Sequence, residues 1–318
     1  MDFHQLIDLA SSRVGGKALE TSDEFFAPMG NLLKPAKAVF IEDKYTVRGK
    51  WMDGWESRRR RTPGYDWCVI KLGLRGLIRG VNVDTSFFTG NFPSHASLDA
   101  RDGKGAWTEV MPKTELRGNG DNLIPVKSDK PWDAVRLNIF PDGGVARLRV
   151  FGEVAPDWAK KSKKTPVDLA AVENGGLPLL ASDMHYSHPQ NLIMPGRSKN
   201  MGDGWETKRR RGPGYDWVIL KLGAPGVLKK IEVDTNFFKG NYPDSCMIEG
   251  VHKPGGTGSE LSDEFTPWAT ILPQTKLAAH KRQFFEKQLV PHAPVTHVRL
   301  NIYPDGGVSR LRLWGIRS

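Results

Sequence analysis

Apolar positions along the chain come in short runs rather than helical stripes. WCVIKLG (67–73) and WVILKLG (217–223) are β-branched, nearly continuous and end on glycine, as buried strands do. GVNVDTS (80–86) and KIEVDTN (230–236) alternate apolar and polar residues, the period of a strand with one wet face. VRLNIF, then PDGG, then VARLRVFG predicts two strands joined by a tight turn in which Asp142, Gly143 and Gly144 provide the permissive backbone. Arg136, Asn138, Arg147 and Arg149 fall opposite Leu137, Ile139, Leu148 and Val150. One helical turn is expected near DLASSRV, closed by Gly15 and Gly16. Short strands at turn-rich spacing over about 150 residues predict an all-β chain of jelly-roll β-sandwiches with minor helix.

The pattern occurs twice. At an offset of 160, Ile7-Asp8-Leu9-Ala10 matches Val167-Asp168-Leu169-Ala170, and Asn31-Leu32-Leu33 matches Asn191-Leu192-Ile193. From residue 53 the offset is 150, so the first copy carries ten extra residues in or near FIEDKYTVRGKWM. From VRLNIFPDGGVARLRVFG (135–152) against VRLNIYPDGGVSRLRLWG (298–315) it is 163, a net 13-residue insertion in the second copy, expected around KPGGTGSELSDEF. Length changes between matched blocks belong in loops. The reading is a tandem duplication, with domains at 1–158 and 159–318.

Composition narrows the class. The 318 residues have no apolar run of about 18, which argues against a membrane span. MDFHQLIDLA lacks a basic segment followed by an apolar one, against a secretory leader. Cys68 and Cys246 sit at non-equivalent places in the copies, so two free thiols in a reducing cytoplasm are expected. The net charge of +10 invites a nucleic-acid reading, but the basic residues lie in mixed-charge segments and no zinc-finger or basic-heptad spacing occurs. No nucleic-acid partner is expected.

The densest identity between copies, 12 of 15 positions, lies in DGWESRRRRTPGYDW (53–67) and DGWETKRRRGPGYDW (203–217). Arg59, Arg60 and Arg61 precede a Pro-Gly turn into a strand, and in an extended segment at most two of them can face one ligand. Asp53, Glu56 and Asp66 can pair with them, and a plain salt-bridge lattice lidded by Trp55, Tyr65 and Trp67 is an equal alternative. DTSFFTGNFP (84–93) and DTNFFKGNYP (234–243) read as a strand end running into an aromatic, Gly-Asn loop. His95 faces Ser245 across the copies, so any role for it belongs to the first. His185 and His188, near Asp183, form a lone H-x-x-H, which is poor evidence for zinc. A carboxylate-held divalent metal ion stays open, without a ligand motif, and the cofactor is unknown.

Together these doubled motifs resemble the allantoicase (allantoate amidinohydrolase) family over nearly the whole chain. The resemblance implies two jelly-roll sandwiches related to galactose-binding and discoidin-like domains, and hydrolysis of allantoate to ureidoglycolate and urea in purine (allantoin) degradation. It also makes a homo-oligomer plausible. Allantoate is a carboxylate with two ureido groups on one carbon. Its carboxylate suits the guanidinium forks of Arg59, Arg60, Arg61, Arg209, Arg210 and Arg211. Asp53, Glu56, Asp203, Glu206, Asn91 and Asn241 can accept its ureido N–H groups. Expulsion of urea needs a base and an acid: Glu56 or Glu206 for the first, and His95, Tyr65 or Tyr215 for the second. Whether one copy or both is active is open. The competing class is a non-catalytic galactose-binding-like module, since such a fold does not imply activity.

Overall fold

A computed structural model describes residues 3–318. It is nearly all strand, in two compact units, one ending at Pro156 and the other running from Asp157 to Ser318. Each unit holds one eight-stranded sheet folded over on itself as a jelly roll, and the two sheets have the same strand order. In the first unit that order is Ile7–Asp8, Arg147–Val154, Asp66–Asp84, Trp132–Phe140, His95–Arg101 and Thr108–Glu115. Lys17–Thr21 and Leu123–Pro125 add to Asp66–Asp84.

The 19-residue strand Asp66–Asp84 organises the unit. WCVIKLG and GVNVDTS are its two ends rather than separate strands. Its first part pairs with Trp132–Phe140 and Lys17–Thr21. Its second part pairs with Arg147–Val154 and Leu123–Pro125. One continuous strand thereby belongs to both layers, and the alternating burial of its side chains follows from having a layer on one side and solvent or loops on the other. Asp216–Asp234 repeats this with 19 residues.

The strands on either side of PDGG exist as expected, but they are not a hairpin. Trp132–Phe140 pairs with the first part of the long strand and Arg147–Val154 with the second. The turn therefore carries the chain from one layer to the other. Phe140-Pro141 and Tyr303-Pro304 are cis. The expected helical turn is the 3-10 helix Ser12–Val14, closed by Gly15 in the left-handed conformation.

The length differences fall in loops. Tyr45–Thr46 and Gly49–Lys50 form a small hairpin within the first unit's extra segment. The second unit's insertion is split: strand starts are offset by 150 at Ser245–Val251, 161 at Ala269–Lys276 and 163 at Val295–Tyr303. Its larger part carries the α-helix Gly258–Leu261, with a capping box from Thr257 and Glu260.

Cys68 and Cys246 are buried and free. Burial pushes both thiols up to about 12, with the nearby Glu24 charge adding to the effect at Cys68. Among the described residues no helix is long and apolar enough to cross a membrane.

Candidate functional site

The three doubled motifs meet at one end of each sandwich. Trp55–Glu56 pairs with Gly144–Val145, so DGWE lies against PDGG. The Gly144 amide donates to the Asn91 carbonyl at 2.7 Å, which brings in the GN-x-P loop. Phe88 is buried in this junction, and a Cβ on Gly144 would stand 1.9 Å from its ring. Gly143, at φ 135°, would place a Cβ 2.7 Å from the Asn91 carbonyl. Burying a ring of this size contributes about 2–3 kcal/mol, and Gly144 and Gly54 leave the space for it while Gly143 lets the Asn91 loop approach. Gly307, Gly306 and Phe238 repeat the arrangement.

Trp55 is fully buried and its indole N–H donates to the Asp23 carbonyl at 2.8 Å, leaving the next side chain, Glu56, turned to the rim. Asn91 Nδ2 donates to Glu56 Oε1 at 2.6 Å. Burial raises the Glu56 carboxyl above its ordinary value, and the Asn91 hydrogen bond offsets part of that. Asn241 donates to Glu206 Oε1 in the same way.

The arginine run alternates, as an extended segment must. Arg60 turns inward: its Nη1 meets Asp66 Oδ1 at 2.9 Å, and its backbone N–H donates to Asp142 Oδ2 at 2.7 Å. Arg210 does the same, with Asp216 at 2.6 Å and Asp305 at 2.8 Å. Arg58 pairs with Asp23 at 2.7 Å. Burial alone would raise the Asp23 carboxyl, but hydrogen bonds from the Arg58 and Phe25 amides and the Arg58 guanidinium hold it below its usual range. Arg59, Arg61, Arg209 and Arg211 are exposed and form no ion pair among the described residues.

In the second unit these groups surround a cavity of about 570 Å³. Glu206, Arg209, Arg210 and Asn241 line it, with Asp305 and Gly306 from the PDGG turn. Tyr186, Tyr242 and Asp244 complete its polar wall. At the equivalent positions the first unit has Phe26, Phe92 and Ser94. The Tyr186 and Phe26 backbones are equivalent, each N–H donating to the carbonyl of its repeat's glutamate. Tyr186 was not singled out by the sequence, because the signal used was identity between copies and this position differs.

Other candidate residues stand apart from the cavity lining. Asp53 and Asp203 hold the buried arginines of the RLR strands: Arg147 Nη2 meets Asp53 Oδ2 at 2.6 Å, and Arg310 Nη2 meets Asp203 Oδ2 at 3.1 Å. Asp53 also accepts from Lys34 at 2.7 Å. Burial would raise the Asp53 carboxyl, yet hydrogen bonds from Lys34, Arg147 and the Val39 amide bring it below its usual value. Tyr65 and Tyr215 pack on Phe140 and Tyr303, with ring centroids 4.9 Å apart in each pair. His95 is in a strand opposite Glu115 and Phe140, its Nδ1 3.0 Å from Ser94 Oγ. His188 caps the 3-10 helix Pro189–Ile193 by accepting from the Gln190 amide, and His185 stacks edgewise on Tyr186. Among the described residues no group of three His, Cys, Asp or Glu side chains is placed to hold a metal ion.

Comparison with known proteins agrees with this geometry. The allantoicase repeat family matches residues 7–155 and again 167–318. A protein of Burkholderia mallei named probable allantoicase 1 is 51% identical over 316 residues, covering 97% of this chain and 94% of its own length. A probable allantoicase of Pseudomonas savastanoi pv. phaseolicola is 50% identical over 320 residues, covering 98% and 97%. The crystal structure of allantoicase from Saccharomyces cerevisiae superposes with a TM-score of 0.82 at 35% identity, covering 97% of this chain and 92% of that one.

Proposed function

The chain belongs to the allantoicase family and hydrolyses allantoate to ureidoglycolate and urea, and we propose that the second repeat's pocket is where it does so. The observation that supports this placement is the cavity in which an unpaired guanidinium, a carboxylate with one anchored oxygen and two phenols face the same space.

In this reading Arg209 takes the substrate carboxylate through a fork of N–H donors that no protein carboxylate occupies. Arg210, already bound to Asp216 and Asp305, positions the loop. Asn241 fixes Glu206 Oε1 and leaves Oε2 toward the cavity, where it accepts a proton from the attacking water. The water oxygen bonds to the carbon between the two ureido groups, and that carbon's bond to one ureido nitrogen breaks. Tyr186 is assigned the proton that the departing urea nitrogen takes up. In the first repeat Glu56, Asn91 and Arg60 keep the framework of the junction. The free thiols Cys68 and Cys246 suit a reducing, cytoplasmic setting.

The test follows urea and ureidoglycolate release by the full chain, its Glu206→Gln form and its Glu56→Gln form. Loss of turnover in the first alone is expected. Full turnover by Glu206→Gln would remove the assigned base, and no product from the unaltered chain would remove the reading altogether.

A further inference from the structure

Three carboxylates line the second repeat's cavity, those of Glu206, Asp244 and Asp305. Glu206 and Asp305 belong to the frame that both repeats share. Asn241 holds Glu206 as Asn91 holds Glu56. Asp305 accepts from the Arg210 amide at 2.8 Å, as Asp142 does from the Arg60 amide at 2.7 Å. Asp244 has no such counterpart. The first repeat has Ser94 in its place, and Glu115 where the second has Lys276.

Asp244 is tied down at the cavity mouth. Its amide donates to the Tyr303 carbonyl at 2.9 Å, and its carbonyl accepts from the Leu277 amide at 2.9 Å. Lys276 Nζ meets Asp244 Oδ1 at 2.5 Å. The Lys276 hydrogen bond, then its charge and the Ser245 hydroxyl, hold the carboxyl below its ordinary value, so at neutral pH it is ionised and can only accept. An ionised carboxylate has about four lone-pair sites, which leaves room for N–H donors of a ligand.

The substrate makes a demand that Arg209, Glu206 and Tyr186 do not meet. Its central carbon bears a hydrogen, a carboxylate and two identical ureido groups. With the carboxylate on Arg209 and the departing nitrogen at Tyr186, the hydrogen and the other ureido group still have two places to fill. Exchanging them gives the mirror-image pose, and water attack on the two poses gives opposite enantiomers of ureidoglycolate. A contact separates the poses only if it tells a ureido group from a hydrogen, which a hydrogen-bonding site does strongly. We propose that Asp244 is this contact: its carboxylate accepts the N–H groups of the ureido group that stays, and thereby fixes which of the two leaves. This role presupposes turnover in the second repeat's pocket. Asp305 is less suited to it, because the same aspartate braces the arginine loop in both repeats.

Chiral chromatography of the ureidoglycolate released by the full chain at initial rate tests it. The unaltered chain is expected to release one enantiomer. Asp244→Ser, which removes the carboxylate, is expected to raise the minor enantiomer at least about tenfold and to lower kcat/KM for allantoate about tenfold, the scale of one lost charge-assisted contact. Asp244→Asn keeps the shape and is expected to move the ratio in the same direction. The side chain is 56% exposed, so both variants are expected to melt with the unaltered chain. A mixture from the unaltered chain would overturn the proposal, as would a single enantiomer from either variant. Full turnover by Glu206→Gln would instead remove this pocket as the site of reaction. Loss of turnover in Glu206→Gln, with one enantiomer still released by the Asp244 variants, would remove the role of Asp244 alone.

Discussion

The two repeats share a frame and differ in what they place on it. Both hold a glutamate on its asparagine, an arginine turned inward and another left free. Around that common floor the second repeat sets Tyr186, Tyr242 and Asp244, while the first sets Phe26, Phe92 and Ser94. Motif identity therefore reports the scaffold of the site, and the positions that differ set what surrounds it. A duplicated phrase can persist because three loops must interlock, whether or not a substrate is ever bound there.

The sharpest way to break this contrast is to remove the glutamate from each repeat in turn. Glu206→Gln is expected to lower kcat by about 10²- to 10⁴-fold, the range for loss of a general base, and Glu56→Gln to leave it within a few-fold. Equal losses would mean both repeats turn over.

The anchors differ in burial. Arg147 is 1% exposed and Asp53 6%, whereas Asp203, facing Arg310, is 17% exposed. Asp53→Ala strands a buried guanidinium and is expected to cost about 3–5 kcal/mol in urea unfolding. Asp203→Ala, with a longer contact and more water, is expected to cost less than half of that.

Acid separates the repeats as well. His297 is buried where the first repeat has Ala134. Burial, together with the positive charges of Lys221 and Lys253, pushes its imidazole down to about 4. The folded state therefore binds fewer protons than the unfolded one between pH 6.5 and about 4. Stability from this group is complete above that window, is lost as pH falls through it, and amounts to at most about 3 kcal/mol. Asp168 has the opposite sign: burial raises it to about 6, so it favours folding at low pH and less as pH rises toward that value. Asp8, its counterpart in the first repeat, is raised by burial in the same direction. Acidification should weaken the second repeat relative to the first in urea unfolding followed against pH. His297→Gln should abolish that difference.

The smallest expected effect is at the free arginine. Arg209→Lys keeps the charge and loses the fork, so KM for allantoate should rise about tenfold with kcat little changed. Arg59→Lys should change neither, and a tenfold effect there would assign the first repeat a substrate.

Much of this was legible in the sequence because duplication supplies its own comparison. The duplication and the β class both followed from matched blocks, and the larger part of the second repeat's insertion lies where they placed it. What escaped were features fixed by distant partners. Asp53 looked like a ligand for its neighbouring arginines, but Arg147, 94 positions away, takes its carboxylate. PDGG looked like a hairpin turn because the chemistry of a tight turn is local, whereas the strand pairing that makes it a crossing is not. Tyr186 was hidden in a histidine-bearing phrase that draws attention to metal ligands.

The state of the two native thiols has a practical consequence. With both sealed in the sandwich and pushed up to about 12, neither presents a thiolate at neutral pH. A cysteine placed at an exposed position such as Val47 would be the one site open to maleimide, with no native residue first removed. The chain is ready for single-site labelling.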